Sequence, residues 1–195
     1  MRVLVACEFS GTVRDAFAAR GHDAWSCDLL PTERPGNHIQ GDVLEVINEG
    51  WDLMIAHPPC TYLANSGCRW LFEKEGRWQQ LADGVSFFLA LFNAPIPRIA
   101  IENPTPHKWA AERIGSKYHQ RVQPWEFGEP QKKGICLWLK NLPPLIATDI
   151  QYPPTNPELA KEWEKVWREP PGNDQAKNRS KFFPSVAKAM AEQWG

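Results

Sequence analysis

Short β-branched and apolar runs alternate with stretches of helical periodicity, and that alternation constrains the fold more than any other feature. "RVLVACE" from Arg2, "HDAWSCD" from His22, "WDLMIAHP" from Trp51 and "PRIAIEN" from Pro97 each read as a strand, and "KKGICLWLK" from Lys132 as one more. Between them, "TVRDAFAARG" brings Val13, Ala16 and Phe17 to one side and ends on Gly21. "GRWQQLADGVSFFLALFNA" does the same with Leu81, Val85, Phe88, Leu89 and Phe92. A closing helix starts at Pro184. Strand–helix–strand repetition predicts a doubly wound, mostly parallel α/β sheet with its site in the loops at the carboxyl ends of the strands. The 195 residues suffice for one domain, read as 1–195.

The remaining composition excludes several classes. The first apolar run is broken at once by Glu8, which argues against a signal peptide or membrane span and leads to the expectation of a cytoplasmic protein. Five cysteines (Cys7, Cys27, Cys60, Cys68, Cys136) form no CxxC pair and no zinc spacing, so no metal is expected and free thiols are. A formal net charge of -1 gives no global attraction to nucleic acid. Local basic groups must hold any such partner: Lys108 to Arg121, Lys132 with Lys133, and Lys177 to Lys181. Residues 143–171 hold seven prolines around one amphipathic segment, "NPELAKEWEKVW". There Asn156 is the expected cap, Pro157 the first helical residue, and Leu159, Trp163, Val166 and Trp167 the apolar face.

Three strand ends carry polar chemistry: the "CEFSG" turn, Asp28, and Pro59 with Cys60. A small-residue turn leading into a helix accepts a carboxylate or phosphate, and an acid ending the second strand suits two ribose hydroxyls, so an adenosine-type cofactor is expected. Asp42 lies at the depth of an adenine amino group; the bland reading makes both acids turn residues. No GxGxxG fingerprint is present, which disfavours NAD. Glu102 follows Cys60 by 42 residues, the length of a loop and one crossover helix, which places the two on neighbouring strand ends. A thiol paired with a carboxyl suits conjugate addition to a pyrimidine. The thiolate attacks carbon 6, the acid protonates or hydrogen-bonds nitrogen 3, and carbon 5 becomes nucleophilic. The thiolate calls for a positive environment, and burial is expected to raise the pKa of Glu102.

The order of these pieces resembles the DNA cytosine carbon-5 methyltransferases. "FSG" (Phe9, Ser10, Gly11) looks like their cofactor turn, "PCTYLANSG" from Pro59 like their nucleophile loop, including Ser66, and "ENP" from Glu102, with Asn103, like their glutamate–asparagine motif. "FGEPQKKGICLWLK" is similar to their basic strand, with Gln131 and Lys133 in the matching places, and "NRSKFFPSVAKAMA" to their last motif, which brings Asn178 and Ser180 to the cofactor. The resemblance implies a Rossmann-like fold, S-adenosyl-L-methionine as methyl donor, DNA with a flipped cytosine as substrate, and Cys60 and Glu102 as catalytic residues. Departures are clear. Thr61 replaces a glutamine, Ala64 a serine, and Ile135 the second basic residue, for which Arg121 or Lys132 could substitute. A proline-rich insertion at 143–177 replaces the family's large recognition region, which predicts a very short sequence context, or contacts added by a homodimer or partner protein.

Two other function classes remain open on sequence. "HPPC" can be read as a variant of the motif with which amino-group methyltransferases act on N4 of cytosine or N6 of adenine. Alternatively, the chain is a non-catalytic relative that binds DNA for a partner. Trp70 and Trp78, flanking the nucleophile loop, are the tryptophans positioned for base stacking; Trp25, Trp138 and Trp194 read as core.

Overall fold

The structure, a computed structural model, describes residues 1–166, 168–170, 172 and 175–195. The strands are β1 (Arg2–Ala6), β2 (Asp23–Asp28), β3 (His38–Gln40), β4 (Leu53–Ala56), β5 (Arg98–Asn103), β6 (Gln120–Val122) and β7 (Ile135–Lys140). They form one sheet in the order β3-β2-β1-β4-β5-β7-β6. The first five pair in parallel, and β7 runs antiparallel to both β5 and β6. This is the doubly wound, Rossmann-like arrangement expected, with the strand order reversing between β1 and β4.

Central parallel strands are covered on both faces, which is why they read as unbroken apolar runs. In β1, Val3 and Val5 face one layer while Leu4 and Ala6 face the other. The first layer holds α1 (Thr12–Ala18) and α8 (Pro184–Trp194), through Val13, Phe17, Val186, Met190 and Trp194. The second holds α2 (Val43–Val46), α3 (Trp70–Glu73), α4 (Arg77–Phe92) and α5 (Lys108–Ile114), through Val43, Leu71, Leu81, Val85, Phe88, Leu91 and Ala110. Trp138 and Trp194 are core, whereas Trp25 is half-buried and donates its indole N–H to Asp23. No helix among the described residues is long and apolar enough to cross a membrane.

The proline-rich stretch departs from expectation. Asn156 caps α6 (Pro157–Glu162) by accepting from the Glu158 N–H, but the helix ends five residues before Trp167. The Trp163 carbonyl accepts instead from the Lys132 N–H, so the chain turns there to meet the segment entering β7. Leu159 faces solvent, and Val166 packs partly on the core. Trp167 lies outside the described residues. A further short helix, α7 (Gln175–Ser180), precedes α8.

Candidate active site

β4 and β5 are neighbours, with Ala56 in register with Ile101, so the next residues of each strand emerge side by side at the rim. They are His57 and Glu102. His57 Nδ1 and Glu102 Oε2 are 3.1 Å apart, and each side chain is only 9% exposed. Asn103, one residue on, donates from Nδ2 to the Pro58 carbonyl at 2.8 Å and fixes the backbone that leads to Pro59 and Cys60. The Cys60 carbonyl accepts from the N–H groups of Leu63 and Ala64, closing a turn. Beyond it, His107 Nε2 contacts the Tyr62 carbonyl, the His107 N–H donates to Leu63, the Asn65 N–H donates to Thr105, and Arg77 donates to the Thr61 carbonyl. The loop after β4 is thus strapped to the loop after β5, and Cys60 and Glu102 are brought together.

Charges around the pair act in opposite directions. Burial and the Glu102 carboxylate push the Cys60 thiol above its ordinary range, against Lys133, the Cys60 backbone N–H and Arg179, which pull it down. Glu102 lies below the usual carboxylate range. Burial pushes it up, but the His57 hydrogen bond and the charges of Lys133 and His57 outweigh burial. The expectation that burial would raise Glu102 is therefore reversed, because a buried carboxylate with its own donor and nearby cations favours the charged form. At neutral pH the pair carries its proton on sulfur. By contrast, burial pushes up the thiols of Cys7, Cys27, to about 11, and Cys136, with no nearby cation on Cys7 or Cys27 to counter it.

Three buried polar atoms converge here without a hydrogen-bond partner among the described residues: His57 Nε2, Glu102 Oε1 and Asn103 Oδ1. Buried polar groups are nearly always paired, so three on consecutive strand ends mark a site that a ligand completes. His57 was legible only as part of "HPPC"; its link to Glu102 needed the β4–β5 register. Arg179 acts on Cys60 across more than a hundred residues of chain, a link that only the fold reveals.

Next to this pair, a cleft of about 270 Å³ opens at the carboxyl ends of β1, β2 and β4, lined by Cys7, Cys27, Asp28, Leu29, Gly41, Asp42, Val43, Pro59 and Phe87. It sits at the point where the strand order reverses, the usual ligand position in such sheets. Asp28 accepts from the Leu30 N–H and Asp42 from the Leu44 N–H, in each case through Oδ1. Both acids therefore hold turns while lining the cleft. Cys7 takes a left-handed backbone (φ 59°), a strained state that ends β1 at the cleft floor.

The turn into α1 differs from expectation. Glu8, buried, accepts from the Val13 and Arg14 N–H groups at 2.6 and 3.2 Å and from the Ser10 hydroxyl at 3.3 Å. The chain's own carboxylate thus occupies the helix N-terminus expected to take a ligand's carboxylate or phosphate. Gly11 has φ 71°, and a β-carbon there would lie 2.5 Å from an Arg14 guanidinium nitrogen, so glycine is required on both counts. Phe9 is buried beneath the Lys177 ammonium, 5.3 Å from its ring centre.

The other expected residues are spread along the rim. Lys133 donates to the Arg179 carbonyl at 3.1 Å, which joins the basic strand to α7. Gln131 is half-buried just before β7, and Ser66 is exposed in a single turn of 3-10 helix. Asn178 donates to Glu169 and Ser180 to the Lys177 carbonyl, and neither lines the cleft. Ile135 is fully buried, so its side chain is a core group. Arg121 of β6 lies over Gly134, where a β-carbon would come 2.6 Å from its guanidinium.

No protein-family model matches the chain, and no curated protein matches it. Among solved structures, a candidate DNA modification methyltransferase encoded within a prophage, from E. coli, is similar at 15% identity and a TM-score of 0.47. The match covers 71% of this chain and 46% of that one, so the chain spans less than half of that protein's length. The fold assignment rests on strand order and register, not on this likeness.

Proposed function

We propose that the protein transfers a methyl group to carbon 5 of cytosine in DNA through a covalent adduct with Cys60. The observation that carries this reading is the strapped pair of Cys60 and Glu102 on adjacent strand ends, with unpartnered Glu102 Oε1 and Asn103 Oδ1 beside it. Glu102 Oε1 suits the nitrogen 3 and amino edge of cytosine.

The proton balance suits the addition. Cys60 starts as a thiol and Glu102 as a carboxylate, so one proton leaving sulfur for the carboxylate, and from there for nitrogen 3, gives both the nucleophile and the acid. Lys133 and Arg179 favour the thiolate so formed. Sγ bonds carbon 6, the electron pair displaced from the carbon 5–carbon 6 double bond makes carbon 5 an enamine nucleophile, and carbon 5 would take the methyl group as the donor leaves as a neutral thioether. Loss of the carbon 5 proton to water, expulsion of Sγ from carbon 6 and return of the nitrogen 3 proton through Glu102 to sulfur then restore the ring and the enzyme. His57 keeps Glu102 oriented throughout.

S-adenosyl-L-methionine, bound in the adjacent cleft, would supply an electrophilic methyl group. The cleft suits it: the Asp28 carboxylate for ribose hydroxyls, the Asp42 carboxylate for an adenine amino group, apolar walls from Leu29, Val43 and Phe87, and Pro59 on the side toward Cys60. With Glu8 filling the end of α1, the donor's amino-acid group must be held by the backbone of Phe9 to Gly11 or by groups of the last segment. Lys133, Gln131 and Arg121 would hold the target base and its phosphates, Arg121 lying over Gly134 beside the buried Ile135. The short 143–177 segment accords with relaxed sequence choice.

The test is to incubate the chain with S-adenosyl-L-methionine and cytosine-containing DNA and analyse the nucleosides by mass spectrometry. 5-Methyl-2′-deoxycytidine is expected. Methyl on an amino nitrogen would hand the site to the "HPPC" reading, and no methylation by the chain alone or with candidate partners would favour a binding role.

A further inference from the structure

Beside the strapped loop lies a ledge of aromatic side chains that the fold leaves uncovered. Phe72 is 65% and Trp78 39% exposed. The rings of Phe72, Trp78 and Trp109 meet edge to face, with centres 5.6 Å (Phe72–Trp78), 5.1 Å (Phe72–Trp109) and 6.1 Å (Trp78–Trp109) apart. Cations are interleaved with the rings: Arg113 over Trp78, Arg69 and Lys74 over Trp70, and Arg77 over Tyr62. The ledge is continuous with the site. Arg77 also binds the Thr61 carbonyl next to Cys60, and His107, which holds the Tyr62 carbonyl, lies 6.0 Å from the Trp109 ring.

We infer that this ledge binds single-stranded DNA, stacking the bases that flank the target cytosine on Phe72 and Trp78 while Arg69, Arg77 and Arg113 follow the phosphates. The inference rests on the functional reading above and deepens it by naming the form of the substrate. Exposed aromatic rings gain from bases that are themselves unstacked, which a duplex does not offer, and rings interleaved with cations are how sequence-tolerant single-strand sites are built. Arg77, which stacks on Tyr62 and binds the Thr61 carbonyl, joins the ledge directly to the Cys60 loop, so a strand that carries the target base into the site runs over these rings. The cations of the ledge, Arg69, Lys74, Arg77 and Arg113, outnumber its exposed acids, Glu73 and Glu75, and Glu112 on the neighbouring helix lies 3.9 Å from Lys108. A strand-stacking ledge also supplies affinity without sequence readout, in keeping with the small 143–177 segment.

The experiment is fluorescence anisotropy of a labelled oligo(dT) strand, against a duplex of equal length, at fixed salt and without methyl donor. Wild type is expected to prefer the strand. Trp78→Ala and Phe72→Ala are each expected to weaken strand binding by about tenfold, and Arg113→Gln to weaken it and flatten its salt dependence. Since oligo(dT) holds no cytosine, the result stands even if Cys60 performs no chemistry. Three results would overturn the inference: no strand preference, wild-type strand binding by both aromatic variants, or a dimer in sedimentation that Trp78→Ala disrupts while strand binding persists. Both substituted side chains are well exposed, and circular dichroism of each variant confirms its fold.

Discussion

The two halves of the rim solve the same problem in opposite ways. On the β1–β2 side three acids already serve the backbone: Glu8 caps α1, Asp28 holds the turn to Leu30, and Asp42 caps α2. On the β4–β5 side His57 Nε2, Glu102 Oε1 and Asn103 Oδ1 are buried and unpaired. The first half is finished without a ligand and should bind one with little rearrangement. The second carries the desolvation cost of open polar groups, which is recovered only when a substrate edge meets them. Affinity for the donor and chemistry on the base should therefore be separable by substitution.

The largest break falls on sulfur. Cys60→Ser is expected to abolish methyl transfer while leaving the far-UV spectrum and donor binding unchanged, and normal turnover in that variant would remove the covalent mechanism. Next, Glu102→Gln should slow single-turnover transfer by about 100- to 10,000-fold, the range of a lost general acid. The same change removes a negative charge that raises the Cys60 thiol, so alkylation of Cys60 by iodoacetamide at neutral pH should become faster, and Lys133→Met should make it slower. Opposite or absent changes in alkylation would show that the carboxylate and thiol do not sense each other.

Stability sharpens the comparison further. Glu102 is held below its ordinary value of 4.5, so its contribution is full above that pH and is lost as pH falls through the lower folded value. Urea unfolding of wild type should weaken at acid pH more than that of Glu102→Gln; equal slopes would show that the His57 contact is energetically idle. The smallest effect belongs to the finished half. Asp28→Ala should weaken S-adenosyl-L-methionine by about tenfold through one lost charge-assisted hydrogen bond, and DNA by less, as calorimetry would show. Equal weakening of both would place Asp28 outside a donor site.

Much of this arrangement was legible in the sequence because periodicity reports burial. β1, β4 and β5 read as unbroken apolar runs since each is covered on both faces, and the 42-residue spacing placed Glu102 beside Cys60 because one helix and its loops fill such a crossover. The three-residue β3 and β6 left too little pattern to be seen. α6 is shorter than its apolar spacing predicts, because Leu159 and Trp163 fit a helical face but the Trp163 carbonyl turns to meet the Lys132 N–H. In the site, residue types were readable but their commitments were not. The sequence "CEFSG" does not reveal that Glu8 folds back onto the turn, nor does "HPPC" reveal that its histidine reverses the effect of burial on Glu102.

The most direct measurement is covalent capture. DNA containing 5-fluorocytosine cannot lose its carbon 5 substituent as a proton, so an enzyme that adds through sulfur and transfers methyl remains attached. Incubated with the chain and S-adenosyl-L-methionine and then digested for mass spectrometry, such DNA is expected to leave a methylated fluoropyrimidine adduct on the peptide containing Cys60. It should leave none on Cys7, Cys27, Cys68 or Cys136, and none at all in Cys60→Ser. Release of 5-methylcytosine from ordinary DNA without capture of the fluorinated analogue, or an adduct on another cysteine, would contradict the account.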